Sequence, residues 1–171
     1  MAATRTQVSG RAIESTLDQV MVVFRRRIEE ALTEQGIDDV NSHRWYPVGQ
    51  FADVLEMVER DAGEAVVRKL GAAIPESMDW QGSPVSVKEG LDALPDGYRT
   101  CHRGLTGGYD MESSDENSAT VVCETPYPPE FDKGVIKGTA ERFGAGFTKI
   151  EELNATPRAS GETAHTYEVS W

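Results

Sequence analysis

Residues 118–171 carry three pieces in succession: SATVVCETP (118–126), PPEFDKGVIKGTAERFG (128–144) and TAHTYEVSW (163–171). The first is β-branched and stops at a proline, which predicts a strand. In the second, Pro128 and Pro129 fall where a missing N–H costs little, the first turn of a helix. Glu130 and Asp132 stand near the positive end of that helix dipole, Lys137 and Arg142 near the negative end. Phe131, Val135, Ile136 and Phe143 supply its buried stripe, and Gly144 ends it. Gly134 and Gly138, on one face, each weaken the helix by about 1 kcal/mol. A close approach of backbone to the sheet or to a ligand would explain them, and close packing alone is the plainer account. In the last piece Thr163, His165, Tyr167, Val169 and Trp171 share one face, the alternation of a half-buried strand.

Working outward, Thr148–Leu153 reads as a further strand. Tyr109–Glu112 and Val121–Glu124 read as a pair joined by the polar SSDEN turn, and Tyr98–Arg103 as a strand before them. The N-terminal half is helical. From Arg11 to Gln35, residues Ile13, Leu17, Val20, Met21, Phe24, Ile28, Ala31 and Leu32 recur mostly at spacings of three and four, with Gly36 as a stop. A second helix follows Trp45-Tyr46-Pro47, with Phe51, Val54, Leu55 and Val58 inward. Gly63 breaks it, and Glu64–Ala73 forms a third. Ser86 and Glu89 make a capping box for a short helix, SVKEGLDAL. The fold class is therefore α+β: N-terminal helices packed on a mostly antiparallel sheet of about four to five strands, crossed by one C-terminal helix. Residues 1–10 read as a flexible leader, and 11–171 as a single domain.

The chain has 171 residues, enough for one well-cored domain. Seventeen basic against 29 acidic residues give a net charge of −12. That field repels phosphate, so a broad nucleic-acid surface is not expected. Arg25–Arg27 fan around a helix beside Glu29 and Glu30, the pattern of a solvated face. A carboxylate-rich surface fits adaptation to high salt, and it equally fits an ordinary acidic protein. No apolar run has the roughly 18–20 residues needed to span a bilayer, and the N-terminus lacks a secretory core; a cytoplasmic protein is expected. Cys101 and Cys123 are expected as reduced, partly buried thiols.

Cys101, His102, Arg103, Cys123 and the more distant His165 form the cluster with chemical promise. Adjacent strand residues point to opposite faces, so Cys101 and His102 do not share an ion, and no metal site is expected. A cysteine nucleophile needs a base within hydrogen-bond reach, which nothing in the spacing requires. The plain reading puts the cysteines in the core and His102 on the sheet's outer face. Trp45, Tyr46, Trp80, Tyr127 and Tyr167 combine apolar bodies with polar tips. They suit either a ligand pocket or plain core. Gly104–Gly108 lacks the lysine and following helix of a phosphate loop.

The run VVCETPYPPEFDKGVIKGTAERFG with HTYEVSW resembles the 4-vinyl-reductase-like and haem-NO-binding-like group, in the ligand-binding superfamily of NO signalling and Golgi transport proteins. WYPVGQFADVLEMVERDAGEAVVRKLG is similar to the group's middle helices, so the resemblance spans about residues 40–171. It implies a small hydrophobic or haem-like ligand between helices and sheet, a sensory role, and a homodimer. The group often carries cysteine where this chain has Pro129 and His165, and its haem-binding branch carries a Tyr-x-Ser-x-Arg motif that is absent here. With no histidine placed in a helix, haem is not expected, and the cofactor stays unassigned. The expectation is a non-catalytic small-molecule-binding or sensory domain, with Trp45, Tyr98, Cys123 and Phe131 contacting the ligand. The alternatives are a homodimeric interaction module without a ligand and a thiol-dependent enzyme.

Overall fold

The computed structural model describes residues 6–104, 107–157 and 163–171. The Pro-Pro segment opens helix α6 (Pro129–Arg142), with Pro128 as N-cap and Glu130 and Asp132 in its first turn. Strand β5 (Ser118–Glu124) precedes it; strands β6 (Lys149–Pro157) and β7 (Thr163–Ser170) follow. With β4 (Gly108–Ser114) they make an antiparallel sheet of order β4-β5-β7-β6. Ala119, Val121 and Cys123 of β5 pair with Val169, Tyr167 and His165 of β7, and all but His165 are buried. Strict alternation thus puts one face of each central strand on the core.

The long N-terminal helix expected over 11–35 is two. Helix α1 (Gly10–Asp18) buries Ala12, Ile13 and Leu17, and helix α2 (Val22–Glu34) follows. Ile28, Ala31 and Leu32 are the buried side of α2, while Met21 and Val22 at the break are 67% and 84% exposed. Each stripe serves a different neighbour, which a single straight helix could not do. Helices α3 (Val48–Ala62) and α4 (Glu64–Ala73) meet at Gly63, whose φ of +96° suits glycine. A 3₁₀ turn, Ile74–Ser77, ends α4.

Two further assignments change. Tyr98–Arg103 is not a strand: helix α5 runs Val87–Cys101, through Pro95, and only His102–Arg103 extends as β3. Val87, Leu91, Leu94, Tyr98 and Cys101 are all buried on one side. That continuous stripe outweighs the local cost of an interior proline, about 3 kcal/mol. The second change concerns Trp45–Pro47, which forms strand β2 ahead of α3 rather than its first turn. Within the stretch read as a leader, residues 1–5 lie outside the described residues, and Gln7–Ser9 form β1. Strand β1 is the centre of a small antiparallel sheet, order β2-β1-β3, in which Val8 faces both Tyr46 and His102.

The glycines of α6 answer to a helix, not to the sheet. A Cβ on Gly134 would collide with the carbonyl of Arg68, and one on Gly138 with that of Ala72. From the other side, a Cβ on Gly71 of α4 would strike the carbonyl of Phe131. The two helices therefore cross backbone to backbone, and dispersion between the chains offsets the propensity that glycine forfeits.

Candidate functional site

His102 stands where α5 gives way to β3, and the structure corrects its expected position on the outer face: it is 8% exposed. Its Nδ1 lies 2.8 Å from the Tyr98 carbonyl oxygen, and its ring stacks on Tyr98 with centroids 3.8 Å apart. A carbonyl only accepts, so Nδ1 carries the hydrogen. Burial lowers the pKa of His102 to about 4, against the opposing pull of the Tyr98 carbonyl. The imidazole is therefore neutral at pH 7, and Nε2 holds a free lone pair. Tyr127 supplies the partner, its hydroxyl donating to Nε2 at 2.6 Å. Burial pushes the Tyr127 phenol well above its ordinary range, which keeps it a donor.

Around this pair the main elements converge. Val8, Ala12, Phe51, Ile74, Tyr98, Tyr109, Phe131 and Val135 come from β1, α1, α3, the 3₁₀ turn, α5, β4 and α6. The rings meet edge-on: Phe51 with Tyr127 at 5.8 Å, Phe51 with Phe131 at 6.1 Å, Tyr98 with Tyr109 at 5.3 Å. They leave a void of about 10 Å³. That is room for about one water, so the chamber is closed by the chain's own side chains.

A buried acid lies beside the chamber. Asp132 of α6 accepts from Tyr109 Oη at 2.8 Å and from Thr125 Oγ1 at 2.7 Å. Burial raises its pKa to about 7, although both hydrogen bonds favour the carboxylate. Thr125 Oγ1 also accepts the Tyr127 N–H at 3.3 Å. The segment carrying Tyr127 is thereby tied to Asp132.

Among the four residues expected at a ligand, Tyr98 and Phe131 line the chamber. Cys123 is buried on β5, opposite Tyr109 in register. Trp45 is elsewhere, half-buried on β2 with the Arg103 guanidinium 3.8 Å over its ring. Both thiols are free and buried, and burial raises their pKa values, Cys123 well above the usual range. A buried neutral thiol is a poor nucleophile. His165 bonds Glu152 at 3.2 Å. Among the described residues, no group of three or more His, Cys, Asp or Glu side chains gathers to hold a metal ion. His102 and Tyr127 were missed as a pair; the heptad-like run 87–91–94–98–101 was the available signal, since it carries the helix up to His102.

No family model matches the chain, and no curated protein matches it by sequence. Solved structures do. An oxygen-binding H-NOX domain related to soluble guanylate cyclases, as its oxygen complex, shares 10% identity at a TM-score of 0.66, over 95% of this chain and 94% of that one. An Fe(II) unliganded mutant H-NOX protein from K. algicida shares 13% at a TM-score of 0.66, over 95% of each chain. A structure described as probing haem distortion in the H-NOX family shares 11% at a TM-score of 0.65, over 95% and 94%. The chain has the fold of haem-NO-binding domains. The expectation against haem is thereby overturned: it rested on a missing motif and on histidines outside helices, whereas the shared fold is that of haem domains and His102 caps a helix inside the core.

Proposed function

We propose that this chain, folded as H-NOX domains are folded, is a non-catalytic cytoplasmic sensory domain that takes a small, largely apolar ligand against His102. One observation carries the reading. A neutral imidazole, its Nδ1–H anchored on the Tyr98 carbonyl, aims the Nε2 lone pair into an aromatic chamber. A second ring nitrogen fixed by a backbone carbonyl is the arrangement that orients a histidine ligand.

The donor chemistry fits haem. His102 Nε2 is the atom that would hold the iron, with Phe51, Phe131 and Val135 as apolar walls; haem, when bound, supplies an iron centre for a diatomic gas. Ligand pockets of drug size occupy about 300–1,000 Å³, so side chains that now fill the chamber must give way. The test is a titration of purified protein with haemin, followed by the Soret band. One equivalent should bind, and His102→Ala should weaken binding at least tenfold and remove the imidazole-ligated spectrum. Absence of specific haemin binding, together with absence of stabilisation by small aromatic molecules, would overturn the proposal.

A homodimer is the second part of the reading. Met21 and Val22 project at the start of α2, beside an open groove of about 500 Å³ between α2 and α3 that is floored by Ile28, Ala31 and Val58. Exposed apolar groups beside a groove that also carries Arg27, Glu30, Glu34 and Asp61 make a mixed apolar and charged surface suited to a protein contact. Sedimentation equilibrium at micromolar concentrations tests it, and a monomer throughout would remove it.

A further inference from the structure

We infer that Tyr127 occupies the ligand's own place, so that the site selects a flat apolar molecule bearing one electron-pair-accepting group that takes over His102 Nε2. This deepens the preceding reading and rests on it.

The hydroxyl of Tyr127 already shows what the position accepts. It gives a hydrogen to Nε2 at 2.6 Å, and its ring packs against both Phe131, 4.9 Å away, and Phe51, 5.8 Å away. A phenol on an aromatic bed is thus held by one polar contact and by edge-to-face packing. Because the Tyr98 carbonyl engages Nδ1–H, Nε2 faces inward only as an acceptor. A ligand must bring it either a hydrogen-bond donor, such as a phenolic hydroxyl, or a metal centre such as haem iron. An apolar ligand without such a group would leave a buried acceptor unpaired and bind about tenfold or more weakly for it.

The surrounding backbone suits a side chain that leaves without unfolding the domain. Tyr127 lies between Pro126 and Pro128, on the link from β5 to α6. The prolines restrict φ on both sides, and the Tyr127 N–H is anchored on Thr125 Oγ1. Helix α6 begins immediately afterwards and is clamped on α4 through Gly134 and Gly138. Rotation about the Tyr127 side-chain bonds therefore empties the position while the backbone keeps its course. The vacated volume is of the order that small aromatic molecules fill in engineered core cavities, roughly 150 Å³; a haem-sized ligand requires further chamber side chains to give way as well.

The experiment compares wild type, Tyr127→Phe and Tyr127→Ala with phenol, benzene and haemin as probes, using calorimetry and the Soret band, with circular dichroism to verify folding. Nitrogen NMR of the histidine rings reads the contact independently of any ligand. Tyr127→Phe should alter the His102 Nε2 resonance while keeping the Nδ1–H tautomer. Tyr127→Ala should bind phenol at least tenfold more tightly than benzene, and should bind phenol or haemin at least tenfold more tightly than wild type. Phenol preference without haemin binding would assign a hydrogen-bonding ligand; a tighter haemin complex would assign the metal centre. Equal affinity of wild type and Tyr127→Ala would overturn the inference and leave the sensor reading standing. Failure of every probe to bind any folded variant would overturn both. An unchanged His102 spectrum in Tyr127→Phe would also overturn it, by removing the contact itself.

Discussion

Helix α6 has two faces that meet the rest of the molecule in opposite ways. Toward α4 it is welded: Gly134 and Gly138 lie on the carbonyls of Arg68 and Ala72, and Gly71 returns the contact on Phe131. Glu130, 8% exposed, adds ion pairs to Arg68 and to Lys133 at the rim. Toward the chamber the same helix offers Phe131, Val135 and Asp132, which meet rings and hydroxyl groups. Backbone-to-backbone packing has no rotamer to change, whereas an aromatic chamber has several. The contrast sets a rigid frame directly beside a packed chamber whose side chains have alternative rotamers.

The strongest way to break this contrast is to add one methyl group to the welded side. Gly138→Ala should improve intrinsic helix propensity by about 1 kcal/mol, yet it should destabilise the protein by about 3 kcal/mol or more, because the carbonyl of Ala72 cannot move aside. Urea unfolding reads the difference, and a stabilised variant would show that the helices are free to separate.

The chamber side is probed by pH. Asp132 has its folded pKa raised to about 7, so the native state keeps a proton that the unfolded chain loses near pH 4; its contribution to stability falls as pH rises from about 4 to 7. For His102 the native state lacks a proton that the unfolded chain holds below its ordinary value of 6.5, so its contribution rises with pH between about 4 and 6.5. The two slopes nearly cancel in that window. Asp132→Asn should therefore make stability climb with pH relative to wild type, by about 1.4 kcal/mol per unit from roughly pH 4.5 to 6.5. Unfolding curves at several pH values measure it, and parallel profiles would mean that Asp132 titrates normally.

Smaller effects sharpen the picture. Arg68→Ala should cost about 1 kcal/mol, since Arg68 is 42% exposed while Glu130 still keeps Lys133. Gly49→Ala makes the useful control. It adds the same methyl group on α3, where a Cβ meets nothing within 4 Å, and should stabilise by up to about 1 kcal/mol. The sign change between Gly49 and Gly138 separates close approach from propensity.

Much of the frame was legible because it is local. The alternation of β5 and β7, the prolines opening α6, the break at Gly63 and the cap at Ser86 each follow from residues a few positions apart. Reading failed where a local signal conflicted with a longer one. Pro95-Asp96-Gly97 looks like a turn, and β-prone residues follow it, yet the stripe from Val87 to Cys101 keeps the helix intact. Taking Tyr98–Arg103 as a strand alternated Cys101 and His102 between faces and turned His102 outward. The same local break hid the helix that brings Tyr98 under the imidazole. Tyr127 was among the candidate pocket aromatics, but nothing nearby in the chain identifies His102 as its partner, 25 residues away.

By itself, the sequence determined the α+β class and the strand–helix–strand block at 118–171, because periodicity, proline placement and glycine spacing act over a few residues. Tertiary structure alone decided that the glycines of α6 face α4, that His102 points inward, and that Tyr127 covers it. Those outcomes depend on which distant segments meet, and only the packed chain sets that.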